Sequence, residues 1–129
     1  MDFKKFDLVS ACEKGLTFNV EYLGEVTDIE ITVAGVFSRA YKEAHAAIDA
    51  LMEECSKQKR EAKDEELLPL MIDLCVKCTL GWKNISEDGA DIEFNEENAR
   101  KVYGAYDINP LRTQVIDKIH ALKEMALGK

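Results

Sequence analysis

The spacing of apolar residues changes period twice along the chain, and each change marks a new kind of element. In Leu16-Thr17-Phe18-Asn19-Val20-Glu21-Tyr22-Leu23, Phe18, Val20 and Tyr22 fall on one face of a strand, with Asn19 and Glu21 on the other. Gly24 to Asp28 interrupts the pattern, and Ile29-Glu30-Ile31-Thr32-Val33 alternates again. Two β-rich runs around a Gly-containing loop predict a hairpin over 16–34. An isolated hairpin is marginal in water, so its apolar face is expected to pack on helices. Upstream, Phe3, Phe6, Leu8 and Val9 permit a short helix that ends at Gly15.

From Phe37 onward the period is helical. Phe37, Tyr41, Ala44, Ile48, Leu51 and Cys55 follow one another at spacings of 4, 3, 4, 3 and 4, the seam of an amphipathic helix opened by Ser38 or the Gly35 region. Residues 53–66 carry ten charges of mixed sign among fourteen positions. Such a stretch stays in solvent, either as a helix extension or as a loop. Leu67 to Leu80 is apolar nearly all round, which predicts a central buried helix with Pro69 near its start and Gly81 at its end. Asn95 is the predicted N-cap of a helix ending at Gly104, with Phe94 placed to staple onto Ala99. Asn109-Pro110 opens a last helix with the stripe Leu111, Val115, Ile119 and Leu122, closed by Gly128. The expected fold is α+β and predominantly helical, with an N-terminal β-hairpin on a bundle of about four helices; all-α is the alternative. One domain over 1–129 divides into the hairpin (16–34), long helices (36–80), an acidic loop (82–94) and C-terminal helices (95–127).

Composition narrows the function classes. With 25 acidic against 17 basic residues the formal charge is −8, the wrong sign for a general nucleic-acid binder. The longest apolar run, Leu67 to Ile72, is too short for a membrane span. Met1 to Asp7 has no apolar core of a secretory signal, so the cytoplasm is the expected compartment. The surplus of acid is local: Glu87, Asp88, Asp91, Glu93, Glu96 and Glu97 lie between positions 84 and 98 with no base among them.

Candidate chemistry is sparse. Cys75-Val76-Lys77-Cys78 has the spacing of a redox or metal pair, but it falls late in an apolar helix, where the dipole disfavours a thiolate. A zinc site needs two more ligands at suitable spacing, and His45 and His120 are isolated. These cysteines, with Cys12 and Cys55, read as free core thiols, and the two histidines as boundary residues. Ser10, Ser38, Ser56 and Ser86 have no triad context, and no phosphate-binding glycine pattern occurs. Glu87 to Asp91 lacks the spacing of a calcium loop, so Asp88-Gly89 reads as a turn. No catalytic residue, cofactor or metal site is therefore expected. Trp82, the single tryptophan, is expected to pin the acidic segment onto the core with its indole N–H bonded.

Gly81-Trp82-Lys83-Asn84-Ile85, the Asp88-Gly89 turn, and Ile92-Glu93-Phe94-Asn95-Glu96-Glu97-Asn98-Ala99 together resemble the tail assembly chaperones of long-tailed bacteriophages. Pro110-Leu111-Arg112-Thr113-Gln114-Val115 is similar to the family's last helix. Gly35-x-x-Ser38-x-x-Tyr41 is similar to the entry into its first long helix. The resemblance spans roughly 16–120. It implies a non-enzymatic protein of the infected bacterial cytoplasm that binds and solubilises the tape measure protein and recruits tail tube protein. It also implies a tendency to self-associate, absence from the mature virion and, in many members, a longer frameshifted form. Trp82, Asp88, Asp91, Glu93, Phe94 and Arg112 are the candidate partner contacts. Two other classes remain: a small redox or metal-binding regulator using Cys75 and Cys78, and an acidic inhibitor that mimics nucleic acid.

Overall fold

The computed structural model describes residues 1–128. Helix takes 54% of the chain and strand 20%, so the α+β reading holds and the all-α alternative does not. A 3-10 turn at Phe3–Phe6 leads into α1 (Leu8–Lys14), which Asp7 caps through the Ser10 amide. β1 (Leu16–Tyr22) and β2 (Glu25–Val33) pair antiparallel as the expected hairpin. Leu16, Phe18, Val20, Ile31 and Val33 are its buried face, whereas Tyr22, expected on that face, is exposed.

The interruption seen at Gly24 to Asp28 resolves into two features. A two-residue turn, Leu23-Gly24, joins the strands, and a bulge follows in β2 at residues 27–29 opposite Val20. Side chains hold the bulge: the Thr27 hydroxyl donates to the Val20 carbonyl (2.6 Å), and the Asn84 amide donates to the Asp28 carbonyl (2.9 Å).

α2 (Arg39–Lys57) starts at Ser38, whose hydroxyl accepts from the Tyr41 amide, and buries Ala44, Ile48 and Cys55 of the predicted seam. The charged stretch is both of the things anticipated for it. α2 ends as Lys59 turns left-handed (φ 53°) and the Arg60 amide returns to the Cys55 carbonyl. α3 then begins at Asp64 and runs to Cys78, earlier than its apolar content predicts. Asp64, Glu65 and Glu66 sit in its first turn, where the helix dipole favours anions, and Glu66 accepts from the Lys63 amide and from both ends of the Arg60 fork. The Arg60 hydrogen bond is the main reason the Glu66 carboxyl falls from 4.5 to about 2. Pro69 is consequently inside the helix, on its solvent side, instead of at its start.

The largest departure follows α3. The helix stops at Cys78, before Gly81, and the chain continues directly as β3 (Thr79–Lys83), which adds antiparallel to β2 and makes it the central strand. Trp82 is therefore a strand residue opposite Ile31. Residues 82–94 are not a loop either: β4 (Ser86–Glu87) and β5 (Ala90–Asp91) form a small hairpin about the Asp88-Gly89 turn, tied by the Ile92 amide to the Ile85 carbonyl.

α4 (Glu96–Gly104) is capped by Asn95 as predicted, and α5 (Pro110–Ile119) by Asn109, which accepts from the Leu111 and Arg112 amides. The expected single last helix breaks at His120, and α6 (Leu122–Ala126) follows. The break has a local cause. His120 Nδ1 donates to the Ile116 carbonyl (2.8 Å), the acceptor that a continuing helix would use for the His120 backbone amide. α5 packs on β1 and β2, and α3 lies between α2, α4 and α5 over a single buried cluster. No helix among the described residues is long and apolar enough to cross a membrane.

Candidate protein-binding surface

The six residues predicted to meet a partner do three different things. Trp82 is partly buried; its Nε1–H donates to the Ile92 carbonyl (2.8 Å), and its ring meets Phe94 edge-on at 5.0 Å and Tyr103 at 6.1 Å. The expectation that Trp82 pins the acidic segment to the core is met, and Phe94 shares that work. Asp88, Asp91 and Glu93 are exposed. Arg112 is only 7% exposed, and its guanidinium donates to the carbonyls of Tyr103 (2.6 Å) and Asp107 (2.8 Å). Its charge works inside the fold, so it is not free to meet a partner.

Arg112 and Asn109 together fix the connection between α4 and α5. Asn109 Nδ2 donates to the carbonyls of Val102 (2.8 Å) and Ala105 (2.9 Å) while its Oδ1 caps α5. The loop so held turns outward what apolar chains normally hide. Tyr106 is 80% and Ile108 87% exposed.

Between this loop and the two hairpins runs an apolar groove of about 440 Å³. Val20, Tyr22 and Ile29 form one wall, Ile85 and Ile92 a second, and Val102, Tyr106 and Leu111 the third. The turn Leu23-Gly24 stands at the end of the first wall, with Leu23 86% exposed and Val26 beside it also exposed. Both positions of this turn have positive φ (50° and 85°), the pattern of a type I′ turn, which favours Asn-Gly or Asp-Gly. The second hairpin obeys that preference with Asp88-Gly89 at 52° and 82°. Leucine in the same conformation costs about 1 kcal/mol or more. Tyr106 is in the same left-handed region (φ 64°). Two large apolar residues, Tyr106 in the groove lining and Leu23 on the turn that follows the lining residue Tyr22, are thus strained and exposed.

Gln114 of α5 accepts from the Glu21 amide at 2.8 Å and donates to the Glu21 carbonyl at 2.7 Å, occupying the outward backbone of that one residue of the β1 edge.

The cysteines lie elsewhere. All four are free and buried; the Cys75 thiol faces the Arg112 carbonyl. Burial pushes both Cys75 and Cys78 up to about 12, the reverse of what an attacking thiol needs. Among the described residues, no three His, Cys, Asp or Glu side chains converge in a metal-binding group. Because the folded state disfavours these thiolates, their contribution to stability is complete below about pH 9 and is lost as pH rises toward 12. Native protein at pH 8 is therefore expected to react with a thiol reagent at Cys75 and Cys78 only as fast as it unfolds, with all four thiols titrating promptly in denaturant. Prompt native labelling of either residue contradicts this burial.

No family model, curated protein or solved structure matches the chain.

The groove was missed from sequence because its walls come from three segments, around residues 20–29, 85–92 and 101–111. One local signal was present: a Leu-Gly pair where a hairpin turn favours Asn-Gly.

Proposed function

We propose that the chain is a non-enzymatic escort, a tail assembly chaperone that holds the tape measure protein in soluble form and recruits tail tube protein in the infected bacterial cytoplasm, without entering the finished virion. The class comes from the resemblance carried by Trp82 to Ala99, Pro110 to Val115 and the Gly35 to Tyr41 entry. The observation that carries the binding role is the apolar groove lined in part by the exposed Tyr106, with Leu23 and Ile108 exposed on the adjoining turn and loop. An escort needs apolar surface to cover its client and charge to keep the pair dissolved, and a formal charge of −8 supplies the second.

Co-expression tests the reading. A tape measure protein that is insoluble alone is expected to appear in the soluble fraction and to co-purify with this chain. Unchanged solubility and no co-purification contradict the escort role. The redox alternative has little support, since both thiols are sealed in the core.

A further inference from the structure

Two exposed patches of opposite charge stand on apolar side chains at opposite ends of α3. The first is the N-terminal arm, the turn Phe3–Phe6, which buries none of its residues. It is nonetheless a fixed structure. The Asp2 carboxylate accepts from the Lys4 amide (2.9 Å), the Asp7 amide returns to the Lys4 carbonyl, and Asp7 caps α1. The turn holds the rings of Phe3 and Phe6 together in solvent, 6.0 Å apart and 84% and 63% exposed. Lys4 and Lys5 lie between them and, with Lys14, line a shallow depression whose single acid, Asp7, is taken by Ser10. None of these three lysines has an anionic partner at salt-bridging distance among the described residues.

The second patch lies at the start of α3. Leu67, Leu68 and Met71 floor a depression of about 390 Å³, and Asp64, Glu65 and Asp107 line it with no base among them. These three acids also have no cationic partner at salt-bridging distance among the described residues. The helix that follows the arm, α1, is tied to the far end of α3. The Gly35 amide donates to the Cys12 carbonyl, and the neighbouring Ala34 amide to the Cys78 carbonyl (2.7 Å). The 15 residues of α3, about 22 Å of helix, separate Cys78 from Asp64.

We propose that the arm of one copy of this chain seats in the acidic depression of the next, with Phe3 and Phe6 on Leu68 and Met71 and with Lys4 and Lys5 against Asp64, Glu65 and Asp107. The occupant follows from a match in two properties at once, apolar area and charge. A formal charge of −8 sets copies of the chain against one another, so a self-contact needs a place where the signs are opposed. The arm supplies one, because Asp2 and Asp7 turn their carboxylates onto the backbone while Lys4 and Lys5 stay unpaired. Arm and depression are different surfaces, so the contact is heterologous: a pair still offers a free arm and a free depression, and assembly continues to a ring or a filament. None of these residues lines the apolar groove, so the contact leaves the groove open and stands independently of the escort reading.

Sedimentation of the full chain at rising concentration, to about 1 mM, tests this, since a contact made by one exposed turn belongs to the weak class. The mean mass of the wild type is expected to climb above the 14.6 kDa of one chain. Lys4→Glu with Lys5→Glu, and separately Glu65→Lys with Asp107→Lys, are each expected to weaken the association at least tenfold, roughly the effect of losing two charge pairs. All four side chains are exposed, so both variants are expected to melt within about 3 °C of the wild type. An equimolar mixture of the two is expected to associate again, because every arm then meets a depression of opposite sign. Misfolding cannot imitate that rescue. Phe3→Ser with Phe6→Ser is expected to leave a monomer, which checks the apolar half of the contact. A wild type that stays monomeric throughout, a charge variant that associates as the wild type does, a mixture that stays monomeric, or undiminished association of the phenylalanine variant overturns the proposal.

Discussion

Replacing Arg112 with alanine is expected to destabilise the fold by about 3 kcal/mol in urea unfolding, an unusually large effect for one arginine. Surface arginines usually matter little, because their ion pairs exchange for water. Arg112 differs in being buried and in meeting two main-chain carbonyls at 2.6 and 2.8 Å with no carboxylate beside it. Hydrogen bonds from a charged donor are each worth about 1.5–3 kcal/mol, and truncation leaves both acceptors short of a partner. The fork matters as well as the charge, since its two ends reach carbonyls four residues apart along the chain, Tyr103 and Asp107. Arg112→Lys is therefore expected to recover less than half of the loss. Hydrogen exchange should localise part of the damage to residues 104–109, the loop that presents Tyr106 and Ile108. A loss below about 0.5 kcal/mol, the range of ordinary surface changes, contradicts the role given to this side chain.

Gly15→Ala is expected to cost about 3 kcal/mol and to lower Tm by about 10 °C. Gly15 joins α1 to β1 with φ 82° and ψ −170°, a region open almost only to glycine. A Cβ there runs into the Val33 carbonyl oxygen, with the Val33 carbonyl carbon and Leu80 Cδ1 each 3.1 Å away. The obstacle is backbone of the central strand, so relief requires parting β1 from β2. Gly24 and Gly89 also have positive φ but face open space, and their alanine variants are expected to lose only about 1 kcal/mol. A Gly15→Ala protein as stable as Gly89→Ala contradicts the close approach of the α1–β1 junction to β2.

The elements that local chemistry dictates are legible in the sequence. Alternation at Phe18 and Val20, the seam from Tyr41 to Cys55, the caps at Asn95 and Asn109, and the Asp88-Gly89 turn each depend on neighbours a few positions away. The errors were long-range or came from a single side chain. Thr79 to Lys83 becomes a strand because the outer edge of β2 needs hydrogen-bond partners, a demand set some fifty residues earlier in the chain. His120 ends α5 by taking the Ile116 carbonyl, although the apolar stripe runs on to Leu122. The candidate contacts divided in the same way. The role of Trp82 follows from its own chemistry, whereas nothing local to Arg112 shows that Tyr103 and Asp107 turn their carbonyls toward it.

This chain is proposed to hold its client through the apolar groove and the exposed apolar residues Leu23 and Tyr106. The most direct measurement is the amount of tape measure protein that co-purifies with wild-type chain and with the Leu23→Asn, Tyr106→Asn variant at equal expression. The account predicts that the variant, at least as resistant to heat as the wild type, retains less than a tenth of the client. Full recovery of client on a stable variant contradicts it.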